Sequence, residues 1–202
     1  IHRTSTWKPW IYASWKKDDL KDDYGAEIWS ATVFNTRSLN PKCTIEILTP
    51  DFKGLSSSID TLVNCGLEVF AQNIETVERL THQVRDIRAG YQQTLDVLAE
   101  SKRINPTVLT KTSIILGLGE TDDEIEKTMD DLIENKVDIL TIGQYLRPSR
   151  NHHPIERWVT PEEFEKYRNI GLQKGFLEVV SGPMVRSSYR AERALEKNNA
   201  GL

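Results

Sequence analysis

Hydrophobic residues along this chain fall into short runs that alternate with amphipathic stretches. Five runs predict strands near residues 44–48, 67–71, 111–116, 138–143 and 176–180. Each is short and mostly apolar or β-branched, as expected for strands buried on both faces. Between them, apolar positions recur at helical spacing: Ile28, Val33 and Leu39 in a helix ended by Pro41; Ile59, Leu62 and Val63 before Gly66; Leu95 and Leu98 after Tyr91. Ile125, Met129, Leu132 and Ile133, and then Phe164, Tyr167 and Ile170, form two further stripes. Thr121 with Glu124 and Thr160 with Glu163 fit capping boxes, the second with Pro161 at the first helical position. The separations are too long for hairpins, so the pattern predicts a parallel α/β fold.

Strand ends carry the candidate chemistry. Gly117-Leu118-Gly119-Glu120 follows the third strand directly, where glycine permits a sharp exit and where parallel sheets bind ligands; a tight turn with no ligand is the alternative. Gln72-Asn73-Ile74-Glu75-Thr76 leaves the second strand, and Gln144 onward leaves the fourth. On this pattern Glu46, Asn73, Glu75, Lys111, Glu120 and Gln144 are expected to converge at the carboxyl ends of the strands. Glu46 interrupts a buried run, so it requires either a polar face or a cation partner. Arg85 and Arg88 form either a joint anion grip or a solvated run. The adjacent His152 and His153 point their rings differently and read as loop histidines.

Composition narrows the classes. A net charge of −4 over 202 residues argues against a phosphate-tracking nucleic-acid protein, and no run reaches the length of a membrane span. Cys43 and Cys65 lie far apart and make no C-x-x-C pair, so neither a zinc site nor a disulfide framework is expected. Cys65 reads as a small buried hydrophobe. Residues 1–17 hold Trp7, Trp10 and Trp15 and no acidic residue; they read as an altered or non-native amino-terminal segment, or as a targeting peptide. Residues 18–192 form one domain and 193–202 a polar tail.

Seven motifs in order give the chain a family resemblance. They are Ile45-Glu46-Ile47-Leu48-Thr49-Pro50-Asp51-Phe52, Asn73-Ile74-Glu75-Thr76-Val77, Val84-Arg85-Asp86, Thr110 to Thr121, Gly143-Gln144-Tyr145-Leu146, Val159-Thr160-Pro161-Glu162, and Ser181-Gly182-Pro183 through Arg186-Ser187-Ser188-Tyr189. From about Asp18 to Ala191 the chain resembles the carboxyl-terminal two thirds of the lipoyl synthases, which are radical S-adenosylmethionine (SAM) enzymes.

The resemblance implies a partial (β/α) barrel of the radical SAM type with its amino-terminal strands missing. It implies two [4Fe-4S] clusters in the intact enzyme, with SAM as cofactor. The implied reaction inserts two sulfur atoms at C6 and C8 of a protein-bound octanoyl group. Implied partners are an octanoylated lipoyl carrier protein or lipoyl domain and iron-sulfur cluster delivery proteins, with no nucleic acid and no membrane. The implied compartment is the bacterial cytoplasm or, alternatively, the mitochondrial matrix. Carried over by position, Asn73, Glu75, Lys111, Ser113 and Glu120 are the SAM-binding candidates. Ser188 is the implied ligand of the auxiliary cluster, with Arg186 and Arg190 flanking it. The chain departs from the family at Asp23-Tyr24-Gly25, which stands in place of a glycine-rich turn, and in having no cluster-binding cysteine motif. The chain alone is therefore expected to be inactive. A non-catalytic remnant, or an α/β enzyme that binds an anionic small molecule at Gly117–Glu120 and the Arg85/Arg88 pair, are the alternatives.

Overall fold

The computed structural model describes residues 22–188; the segment 1–17, the tail 193–202 and the residues Tyr189, Arg190 and Ala191 lie outside them. The described elements run α1 (Ala26–Leu39), β1 (Glu46–Leu48), α2 (Ser56–Val63), β2 (Val69–Ala71), α3 (Thr81–Val84), α4 (Tyr91–Ile104), β3 (Leu109–Leu116), α5 (Asp122–Glu134), β4 (Ile139–Gln144), α6 (Pro161–Lys174) and β5 (Glu178–Ser181). The five strands form one parallel sheet in the order β1-β2-β3-β4-β5. It is open, with β1 and β5 at its edges among the described residues, as a partial barrel requires.

Paired residues of a parallel sheet point to the same side and successive residues to opposite sides. One face therefore carries Ile47, Phe70, Ile114, Leu116, Leu140, Ile142 and Val179. These pack with Val33, Ile59, Leu62, Leu98, Ile125, Met129, Phe164 and Tyr167 of the helices in one continuous core. The other face carries a separate small cluster of Val69, Ile139 and Leu109 near the amino ends of the strands. Above it on that face lie Lys111, Ser113, Thr141 and Gly143.

Both capping boxes form, Thr121 with Glu124 and Thr160 with Glu163, so α5 and α6 begin where the sequence requires. The expected inner stripe of α1 is corrected. Ala26 and Val33 are buried, whereas Leu39 is 82% exposed. At about 100° per residue, Ala26 and Val33 fall on one face, while Ile28 lies about 140° and Leu39 about 120° away from Val33. Ala26 and Val33 belong to the core cluster, which also takes in Trp29.

Candidate functional site

The polar face of the sheet is organised by an ion pair. Lys111 Nζ on β3 donates to both carboxylate oxygens of Glu46 on β1, each at 2.9 Å. Lys111 pairs in register with Ala71 of β2, and Glu46 pairs with Val69. The ammonium therefore reaches across Ala71, whose methyl group leaves the path open. The question raised by a carboxylate inside a strand is thus settled by a cation partner.

Beyond the end of β2, Glu75 adopts a left-handed backbone with φ 66. Its N–H donates to Ser113 O at 2.8 Å, and its carbonyl accepts from Ile115 N at 2.9 Å. These bonds continue the pairing with β3 past the last residue of β2. They bring Asn73 and Glu75 alongside Ser113. Asn73 Nδ2 donates to Glu75 Oε1 at 3.0 Å. Although part of Glu75 reaches the surface, its carboxylate lies deep among other atoms. Burial raises its pKa, against the lowering effects of the Asn73 amide and the nearby Arg85 charge. Ser113 is 4% exposed and lies two residues beyond Lys111 on the same face.

Arg85 and Arg88 do not act together. Arg85 is drawn inward and donates to Ile74 O at 3.1 Å, and burial lowers its pKa. Arg88 turns outward onto Asp86 at 2.7 Å, holding that carboxyl at about 2. A joint anion grip by the two arginines is therefore excluded in this arrangement.

The turn after β3 is closed by its own carboxylate. Glu120 Oε1 accepts from Gly117 N at 2.7 Å, and Oε2 accepts from Leu118 N at 2.9 Å. Gly117 has φ +97, and a β-carbon there would lie 2.3 Å from Gln144 Nε2 and 2.6 Å from Arg157 O. Only glycine fits. Gln144 shares register with Leu116 and faces the helices. Its Nε2 donates to Leu116 O, Tyr145 O and Arg157 O, and its Oε1 accepts from Val159 N at 2.9 Å. Of the six residues expected to converge, Glu46 and Lys111 meet on the polar face, and Asn73 and Glu75 bond each other just past the end of β2, where Glu75 is bridged to Ile114. Glu120 is folded into its turn, and Gln144 braces the loop behind the sheet. The expectation for Gln144 is corrected: its position two residues after Ile142 places it on the helix side.

The segment carrying Ser188 returns over the sheet. Gly182 N donates to Ile142 O at 3.0 Å, and Val185 N donates to Gly182 O at 3.1 Å. A β-carbon on Gly143 would lie 2.2 Å from Val185 O. Backbone therefore rests directly on Gly143 at the polar face. Val185 is buried and Ser188 is exposed. Gly143 and Val185 were missed as site-forming residues; a glycine inside an apolar strand was the available signal for close backbone approach.

No group of three or more His, Cys, Asp or Glu side chains is placed to hold a metal ion among the described residues. Cys43 and Cys65 are free and half-buried, and burial pushes the Cys65 thiol up, away from the thiolate that iron favours. The described residues do not supply the ligand set of an iron-sulfur cluster. No helix among them is long and apolar enough to cross a membrane.

Comparison with known proteins places this architecture. Across 192 residues, 95% of the chain, it is 59% identical to a lipoyl synthase of Marinobacter nauticus. It is 58% identical to one of Ectopseudomonas mendocina and 57% identical to one of Legionella pneumophila over the same length. The chain spans 55 to 58% of the length of these curated relatives. The family described as the Radical SAM superfamily matches residues 17–132, more than half of the chain and inclusive of β1 to β3. With its open parallel sheet, polar face and glycine turn, the chain belongs to the radical SAM superfamily.

Proposed function

We propose that the protein to which this chain belongs is a lipoyl synthase, inserting sulfur at C6 and C8 of an octanoyl group carried on a lipoyl domain. The observation that carries this reading is 57 to 59% identity to lipoyl synthases over 95% of the chain. Octanoylated lipoyl carriers and cluster delivery proteins are the corresponding partners.

SAM fits the polar groups at the sheet's carboxyl end. Asn73 and Glu75 join an amide to a carboxylate just past β2, where the Glu75 N–H bonds the Ser113 carbonyl, a set suited to hydroxyl and ammonium groups. Lys111 is neutralised by Glu46, so beneath these groups the face is polar without net charge. Glu120 supports the same rim indirectly, by fixing the turn that follows β3. When bound, SAM supplies the hydrogen-abstracting radical chemistry of the superfamily. The residues of this chain hold and orient it.

The iron-sulfur clusters do not fit this chain alone. Two separated thiols and the Ser188 hydroxyl fall short of a four-iron cluster's ligands. Anaerobic reconstitution of these 202 residues should therefore yield little stable iron and no SAM cleavage. Ser188 is assigned as the auxiliary cluster's oxygen ligand, with the Arg186 charge nearby favouring its anion.

The test uses the full-length protein reconstituted with iron and sulfide. Ser188→Ala should leave SAM binding intact while changing the auxiliary cluster's spectrum and abolishing sulfur insertion, whereas Ser187→Ala should do neither. Normal insertion by Ser188→Ala with an unchanged spectrum would remove the ligand assignment. Absence of SAM cleavage in the wild-type full-length protein would remove the function.

A further inference from the structure

Three successive carbonyls of the glycine turn after β3 are bonded by other parts of the chain. Gly117 O accepts from Glu156 N at 2.9 Å and Leu118 O from His153 Nε2 at 3.1 Å, both on the loop between β4 and α6. Gly119 O accepts from Arg79 Nη2 at 2.8 Å. Arg79 belongs to the single 3-10 turn Glu78–Leu80, which follows the exit of β2. The same guanidinium forks onto Glu124, with Nε donating to Oε1 at 2.6 Å and Nη2 to Oε2 at 2.9 Å. One side chain thus joins the exit of β2 to the glycine turn and to the first turn of α5.

The place of this tie matters. Glu75 is bridged to Ile114, and its carbonyl accepts from Ile115 N at 2.9 Å. Four residues on from Glu75 and from Ile115, Arg79 meets Gly119. The stretch that begins at Glu75 is therefore tied to the exit of β3 at both ends, by backbone at one and by Arg79 at the other. Glu75 itself is left-handed at φ 66, a backbone that a residue with a side chain keeps only where its surroundings hold it.

Stability does not account for the pair. The Arg79 and Glu124 side chains are 50% and 25% exposed, and an ion pair so placed contributes little to global stability. Thr121 and Glu124 complete the capping box of α5 between themselves. What the fork adds is direction. A planar guanidinium fixes a carboxylate and a carbonyl relative to each other, whereas an ammonium acts as a point charge.

We propose that Arg79 is a positioning residue for cofactor binding, setting the spacing between the pair Asn73 and Glu75 and the turn Gly117–Glu120. This rests on the function proposed above, in which these stretches hold and orient SAM. The guanidinium is committed to Gly119 and Glu124, and Arg79 acts through them.

The dissociation constant of SAM for the full-length protein reconstituted with iron and sulfide tests this, measured beside the melting temperature of each variant. Arg79→Gln should weaken SAM binding about tenfold, the scale of one charged hydrogen bond. It should raise KM for SAM by the same factor and leave kcat and the melting temperature unchanged, the pattern of impaired binding alone. Glu124→Gln keeps the capping box, which glutamine also completes, but loses the charge that holds Arg79. It should match Arg79→Gln, and the double variant should lose no more than either. Arg79→Lys should recover only part of the affinity, because it lacks the fork. Glu78→Gln, which removes the neighbouring contact to Lys127 of α5 at 3.6 Å, should bind SAM normally. Wild-type affinity in Arg79→Gln would overturn the proposal, as would an equal loss in Glu78→Gln or a loss that only tracks a lower melting temperature. A wild-type protein that binds no SAM would instead remove the function. Hydrogen exchange in the cluster-free protein then reads the spacing by itself: Arg79→Gln should speed exchange at the Glu75, Gly117 and Leu118 amides together, and unchanged exchange there would overturn the proposal.

Discussion

Lys111 and Glu46 are 65 residues apart in sequence and meet through two hydrogen bonds of 2.9 Å, joining the third strand to the first over the head of the second. Removing either partner leaves a largely buried charge alone. Lys111→Ala should cost about 3 kcal/mol, the low end for a broken buried pair, because Glu46 keeps some contact with solvent. The Glu46→Leu/Lys111→Met pair should recover most of that loss. Urea denaturation midpoints of the single and double variants measure it.

Glu75 gives the fold a pH dependence of definite sign. Its folded pKa is raised by burial, so the native state binds its proton more tightly than the unfolded chain does. The stability linked to this group is present at acidic pH and falls as pH rises from the unfolded carboxylate value through the folded one. Glu75→Gln keeps the oxygen that accepts from Asn73 and removes the titration. Melting temperatures followed from pH 4 to pH 8 should decline less for the variant than for the parent; parallel curves would refute the assignment.

Gln144 binds the loop behind the sheet with both ends of its amide. Gln144→Leu strands Val159 N–H and Arg157 O, each costing about 1 to 3 kcal/mol when left unpaired. Gln144→Glu should be worse at pH 8, because a carboxylate would then face three carbonyl oxygens, and it should improve as acid restores a donor. Hydrogen exchange at Val159 and Glu156, together with thermal melts of both variants, checks the order.

Gly143→Ala should separate the segment after β5 from the sheet. The added methyl would lie 2.2 Å from Val185 O, so backbone must move, at a cost of about 1 to 3 kcal/mol for overpacking. Trypsin should then cut after Arg186 faster than in the parent, while the helices and strands up to β5 stay protected.

How much of this was legible in the sequence depended on locality. The five strands, their order and both capping boxes rest on short-range patterns, and they appear where those patterns place them. β1 starts later than its apolar run because Ile45 N bonds the Glu68 carboxylate instead of a strand partner. The clustering of Asn73 and Glu75 was legible as polar residues at one strand's exit. The facing of Gln144 was not, since β4 is buried on both sides and has no apolar-polar alternation to mark its inner face. The partner of Glu46 was equally hidden, because it depends on register across three strands. Arg85 and Arg88 sit three apart, a spacing that aligns side chains only within a helix. The helix before them ends at Val84, so one turns in and the other out.

The carboxylate of Glu120 has a consequence for what this fold accepts. Backbone N–H groups converging at a glycine turn ordinarily make a receptor for phosphate. Here Gly117 and Leu118 have already spent theirs on an internal anion at 2.7 and 2.9 Å. The Glu120 carboxylate, 1% exposed and 3.8 Å from the Arg157 guanidinium, occupies the place that an external anion would take. The glycine turn after β3 is thus closed on itself, its two amides held by a side chain of the same loop.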